Sequence, residues 1–142
     1  MTSAELENLV RIGKLKLEPP SKSEFEGLQR SGEARLADAE RGDLSLESRF
    51  DLAYNAAHAL SLAALRRLGY RSENRYVVFQ VLPHTLGLSA PTWRVLARCH
   101  EARNVAEYEG IVDVDERLVA DLIGAAKAVR DALRSAGPPR AK

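Results

Sequence analysis

The stretch HEARNVAEYEG, from His100 to Gly110, sets a histidine, an arginine, an asparagine and a glutamate at helical spacing. At about 100° per residue, His100, Arg103, Asn104 and Glu107 fall within about one third of a helix circumference. Arginine offers a phosphate fixed positive charge, asparagine adds hydrogen bonds, and histidine exchanges a proton near neutrality. These types together suit anion or nucleic-acid binding and metal-independent proton transfer. Continued backwards, the line meets Leu96 and Trp93. The face is thus apolar in its first turns and polar in its last, the pattern of a packed helix whose end leaves the core and borders a cleft or a partner. A second strip, Val95, Cys99, Ala102 and Ala106, is apolar throughout. The structural alternative is a buried network of Arg103, Asn104 and Glu107 that fixes helix packing or dimer register. Glu107 and Tyr108 read as anchors of the helix end through hydrogen bonds rather than as catalytic groups.

Two histidines are candidates for acid/base work beside Arg103: His100, one turn earlier on the same face, and His84, placed to reach the cleft from a preceding loop. Their ordinary roles are a solvated surface histidine at His100 and a helix-end bond at His84. Asp51, Asn55 and His58 form another polar stripe, read as a solvated helix face. Cys99 sits on an apolar strip and reads as a buried, inert thiol. Arg66, Arg67, Arg71 and Arg75 cluster around Gly69 as a local basic patch. Phosphate binding is one use for it; charge complementarity at a helix C-terminus is the other.

The rest of the composition excludes more than it selects. A formal charge of +1, from 21 basic and 20 acidic residues, provides no global attraction for nucleic acid, so any basic surface is local. One cysteine excludes an internal disulfide framework and fits a reducing cytoplasm, and three histidines show no metal-ligand spacing. Neither a metal nor a cofactor is expected. The opening MTSAELENLV lacks the basic flank and apolar run of a signal peptide, and no window approaches the roughly 20 apolar residues of a membrane span. A cytoplasmic protein with no membrane partner is expected.

Helix signals must position these residues. Thr2 with Glu5, and Ser21 with Glu24, match the capping box, opening helices over residues 3–15 and 22–40 that Pro19 and Pro20 separate. Leu6, Leu9 and Val10 face inward in the first. Phe25, Leu28 and Leu36 do so in the second, which Ser31 and Gly32 weaken. Residues 44–69 give the central helix, with Leu46, Phe50, Ala53, Tyr54, Ala57, Leu60, Ala64 and Leu68 on one face and Gly69 as its stop. RYVVFQVLPH reads as a short buried helix ending near Pro83. Ser89 and Pro91 open the next helix, which runs to Tyr108 with Gly110 beyond it. The last spans residues 115–135, with Leu118, Leu122, Ile123, Ala126, Val129 and Leu133 inward. The expectation is an all-α chain in one domain: N-terminal helices over 1–43, a bundle core over 44–135 and a flexible tail over 136–142.

The order of these pieces, LAYNAAHALSLAALRRLGY, then VLPHTLGL, then HEARNVAEYEG, resembles the HEPN superfamily over residues 44–133. The resemblance implies an antiparallel four-helix up-and-down bundle with an added short helix. It also implies a homodimer whose arginine-bearing helices line a shared cleft. Catalytic members are metal-independent ribonucleases with an R-x4-6-H motif. Arg103 and Asn104 match its arginine-polar pair, but the positions expected for the histidine hold Tyr108, Glu109 and Gly110. Cleaving RNA without a metal needs a group that titrates near neutrality, and arginine stabilises charge without exchanging its proton. The resemblance therefore implies a protein that binds RNA or a nucleotide in a dimer cleft, without full ribonuclease activity. Its context would be a toxin-antitoxin or defence module with a nucleotidyltransferase-type partner. Arg103, Asn104, Glu107, Tyr108, His100 and His84 are the candidate cleft residues. A non-catalytic protein-protein interaction module is the alternative.

Overall fold

The computed structural model describes residues 3–110 and 114–139. The described chain is mostly helical, as expected: α1 Ala4–Arg11, α2 Lys22–Ala39, α3 Leu46–Arg67, α4 Arg75–Gln80, α5 Leu82–Thr85, α6 Ala90–Glu109 and α7 Glu116–Ala136. Two two-residue strands, β1 Lys16–Leu17 and β2 Tyr70–Arg71, pair antiparallel with Lys16 opposite Arg71 and Leu17 opposite Tyr70. No described helix is long and apolar enough to cross a membrane.

Helix α3 is central because its small residues let neighbours approach from several sides. Ala53, Ala56, Ala57, Ala63 and Ala64 are all fully covered. It packs most extensively on α2 and then on α7, while α6 packs on α7 and α4. Helices α2 and α3 approach closely at Gly32 of α2, where a Cβ would stand 2.7 Å from Leu60 Cγ. The glycine that weakens α2 as an isolated helix is what seats it on α3. One apolar cluster joins α2, α3, α4, α6 and α7 through residues such as Phe25, Leu60, Phe79, Leu96, Leu122 and Val129. A second joins α1 and the strand pair to α3 and α4 through Leu6, Leu15, Leu65, Tyr70 and Val78.

Several boundaries differ from expectation for local reasons. Thr2 lies outside the described residues, and the cap of α1 is Ser3, whose Oγ accepts from the amides of Glu5 and Leu6 at 3.2 and 3.4 Å. Helix α1 ends at Arg11 rather than near residue 15, because Gly13 takes a φ of +83° and turns the chain so that Leu15 enters the second cluster. Ser21 caps α2 as expected, but the Glu24 carboxylate turns to Arg66 and Arg71. Pro83 does not end the short helix; α4 stops at Gln80 and the proline occupies the first turn of α5, where its missing amide proton is tolerated. Ser89 occupies the cap position of α6, yet its hydroxyl makes no capping bond. At the far end, Gly110 adopts φ +73° and its amide donates to Ala106 O, stopping α6 at Glu109. The expected flexible tail is tied at its start: Arg67 donates to the carbonyls of Ala136 and Gly137 at 3.1 and 3.0 Å.

The expected basic patch around Gly69 is dismantled by the fold. Arg66 is 2% exposed, and its guanidinium bonds Glu24 Oε1 at 2.7 Å and the carbonyls of Glu18, Pro19 and Tyr70. Arg71 pairs with Glu18 and Glu24. These arginines lock the α2 entry to the end of α3. Arg67 turns to the end of α7 and Arg75 to α3.

Candidate functional site

The polar line of α6 meets α3 and α4 around one buried tyrosine. Tyr54, on α3, is fully covered, and its ring contacts Phe50 and Phe79 at centroid distances of 6.4 and 5.9 Å. Its hydroxyl lies 2.8 Å from His100 Nδ1. The Arg103 guanidinium carbon is 5.1 Å from the Tyr54 ring centroid and that of Arg75 is 5.6 Å away, so two cations share the electron-rich surface of one aromatic ring. Burial raises the Tyr54 phenol above its ordinary range, so the hydroxyl stays protonated near neutral pH.

The helical repeat explains the assembly. On α6, Trp93 packs edge-on against Tyr76, Leu96 enters the core, His100 stacks beside Tyr54, Arg103 covers its ring, and Glu107 reaches solvent. The gradient from apolar to polar along that face is present as the spacing implies. On α4, Arg75 and Tyr76 start the helix and Phe79 follows one turn later, in contact with both His58 and His100. On α3, Asn55 and His58 stand on the same side as Tyr54. Asn55 Oδ1 accepts from Arg75 Nη1 at 3.3 Å.

His100 is therefore not the solvated residue its sequence position allowed. It is half-buried, with Nδ1 against Tyr54 and Nε2 3.2 Å from the Asn104 amide nitrogen. With an amide N–H donating to Nε2, Nδ1 carries the ring proton and donates to the tyrosine oxygen. Burial lowers the basicity of His100, and the charges of Arg103 and Arg75 lower it further. His58, expected on a solvated face, is largely enclosed, with its ring edge-on to Phe79. Burial, followed by Arg75, Arg103 and His100, pushes its pKa down to about 4. Both imidazoles are neutral at pH 7, and repulsion between cations accounts for part of that.

The remaining candidates divide. Arg103 pairs with Glu107 Oε1 at 2.9 Å and is 29% exposed, at the surface end of the cluster and not in a deep network. Tyr108 is 92% exposed and makes no hydrogen bond among the described residues, so it does not anchor the helix end. His84 lies apart, on α5 against α1, with Nδ1 3.6 Å from Glu5 Oε1; it lines a pocket of about 240 Å³ with Asn8, Leu9, Gln80 and Val81. Cys99 is buried as expected, its thiol pushed up to about 12 by its apolar surroundings. Among the described residues no group of histidine, cysteine or carboxylate side chains is arranged to hold a metal. The depression of about 360 Å³ between α6 and α7 mixes Arg98 and Arg117 with Asp115 and Asp121, and Arg98 already stands 3.5 Å from Asp121.

Compared with known proteins, the chain matches no family model, no curated protein and no solved structure. The chemistry of the site therefore rests on its own residues. Two guanidiniums, an exposed amide at Asn104 and the half-exposed Tyr76 ring 6.3 Å from His100 combine charge, hydrogen bonds and a stacking surface. These are the kinds of group that contact a phosphate and a planar base. Proton transfer is less well served, because both nitrogens of His100 are engaged inside the protein.

Proposed function

We propose that this chain binds single-stranded RNA, or a nucleotide derived from it, at the Tyr54 cluster. Arg103 and Arg75 hold phosphate, Asn104 donates to it, and Tyr76 stacks against a base. The observation that carries this reading is the convergence of two arginines from different helices on one tyrosine ring. The HEPN resemblance supports the same conclusion, with the four long helices α2, α3, α6 and α7 as the expected bundle and Arg103 and Asn104 as the motif pair. In this reading two copies place their α6 ends along one cleft, and the protein serves a toxin-antitoxin or defence module as a binding component. Tyr108 and Val105, exposed on the face of α6 turned away from Arg103, favour a protein-facing surface separate from the RNA site.

Fluorescence anisotropy of a labelled oligouridylate tests the reading. Binding is expected to weaken as salt rises, and to fall about tenfold or more in Arg103→Ala and in Arg75→Ala, because each removes a phosphate contact. The RNA is expected to stay intact in chelator. Arg103→Ala should lose only about 1 kcal/mol of stability, from an exposed helical ion pair and a cation–π contact. A loss nearer 3 to 5 kcal/mol, with no RNA bound by the wild type, would make the arginine a structural group. Cleavage in chelator that disappears in Arg103→Ala would establish a nuclease.

A further inference from the structure

The two arginines on Tyr54 face different partners. Arg75 bonds a neutral acceptor, Asn55 Oδ1, and among the described residues no carboxylate pairs with it. Arg103 is faced by Glu107 Oε1 at 2.9 Å, four residues later on the same helix. Glu107 is 59% exposed on its side chain, and its pair with Arg103 is the only bond it makes among the described residues. Exposed pairs of this spacing are among the weakest ion pairs a helix forms, and they open readily. A carboxylate also carries the charge sign and the oxygen acceptors of a phosphate.

We propose that Glu107 is a displaceable internal anion: it occupies Arg103 in the free protein and competes with the phosphate of an incoming ligand. The inference rests on the reading of Arg103 as a ligand-binding arginine. It divides the site into an open cation, Arg75, and a covered one, Arg103. A small single-charged anion meets Arg103 already neutralised. A chain of phosphates engages Arg75 first, and its next phosphate then displaces the carboxylate. Glu107 thereby raises the charge a ligand needs and selects oligonucleotides over simple anions.

The experiment is a mutant cycle on the full chain with the same labelled oligouridylate at fixed salt. Glutamine retains the length and helix preference of glutamate, so Glu107→Gln is expected to fold normally. It should bind roughly three- to tenfold more tightly than the wild type, through loss of the competing pair and of repulsion toward the phosphate. In an Arg103→Ala background the same substitution should tighten binding distinctly less, by the part that general repulsion alone supplies. Glu101→Gln, which removes an equal charge from the same helix without touching Arg103, should change affinity by less than about twofold. Unchanged or weaker binding by Glu107→Gln, while Arg103→Ala still loses RNA, overturns the competition and leaves Arg103 as a ligand group. Equal tightening with and without Arg103 also overturns it, because the carboxylate would then act only by general repulsion. If neither the wild type nor Glu107→Gln binds RNA, the anion-site reading falls and the competition falls with it.

Discussion

His58 is the residue whose setting departs most from its sequence position. On helix geometry it shares a stripe with Asp51 and Asn55, and Asp51 is indeed exposed. The stripe turns inward because α4 folds back over it and brings Phe79 onto the imidazole. Periodicity within one helix cannot report a covering element that arrives from elsewhere in the chain. Arg75 was hidden for the related reason that its neighbours in sequence, Arg66 and Arg71, serve the opposite end of α3. The Arg103, Asn104 and His100 line was legible because all of it lies on one helix. Enclosure makes His58 a measurable load on stability. The unfolded side chain titrates near 6.5 and the folded one near 4, so the unfolded chain takes up the proton first. Stability is full above about pH 6.5 and falls as pH drops toward 4, by about 3 kcal/mol if the whole difference is expressed. His100, lowered in the same direction, adds to the trend. The lowered carboxylates Glu24 and Glu33 lose their contribution only as pH falls past the ordinary glutamate range, near 4.5. Thermal unfolding between pH 7 and pH 5 therefore isolates the histidines. His58→Gln is expected to flatten that part of the profile, whatever it does to the absolute melting temperature, and an unchanged slope would place the proton elsewhere.

Among the elements, α2 and α3 meet at a contact that tests whether glycine serves helix geometry or helix packing. Gly32 and Gly27 both lie inside α2. Alanine at either gains about 0.5 to 1 kcal/mol in helix propensity. At Gly27 nothing stands within 4 Å of the added methyl, so Gly27→Ala is expected to raise the melting temperature. At Gly32 the methyl would lie 2.7 and 2.9 Å from Leu60 Cγ and Cδ2 and 3.3 Å from Ala56 O. Leu60 is fully buried and has nowhere to turn. Overpacking of this kind costs about 1 to 3 kcal/mol, so Gly32→Ala should destabilise on balance. Denaturant unfolding of the two variants should show shifts of opposite sign, and a stabilised Gly32→Ala would mean that α2 rides more loosely on α3. The existence and order of the long helices were legible in apolar spacing and caps, as with Ser21 before α2 and Gly110 after α6. The two-residue strand pair was not, because Lys16–Leu17 and Tyr70–Arg71 are too short to carry a period and pair across more than fifty residues of chain. Arg66 was equally hidden: a charged residue at a helix C-terminus reads as surface, and its cage of backbone carbonyls exists only once the proline turn has folded against it.

At the scale of the whole molecule, the last turns of α6 present apolar surface that the protein's own interior does not cover. Leu96, which the sequence places on the line leading to the polar cluster, is completely covered by the same chain and contributes nothing outward. The exposed apolar groups there are instead Val105 at 49% and Tyr108 at 92%, with Tyr76 at 40% on α4; Ile12 and Leu17 are exposed elsewhere, between α1 and the end of β1. Val105 and Tyr108 are three residues apart on one helix face, so a partner helix could cover both at once. A formal charge of +1 sets up little repulsion between copies. A symmetric pairing through these turns would bury the apolar groups on both sides together, on the face of α6 turned away from Arg103. Light scattering at micromolar concentration is therefore expected to find roughly twice the 15.6 kDa chain mass. Val105→Asp combined with Tyr108→Asp should return the chain to that single mass with its helical ellipticity intact, because neither side chain supports the interior. A wild type that stays at the single-chain mass into the tens of micromolar would end the pairing through Val105 and Tyr108 and leave the Tyr54 cluster to bind its ligand within one chain.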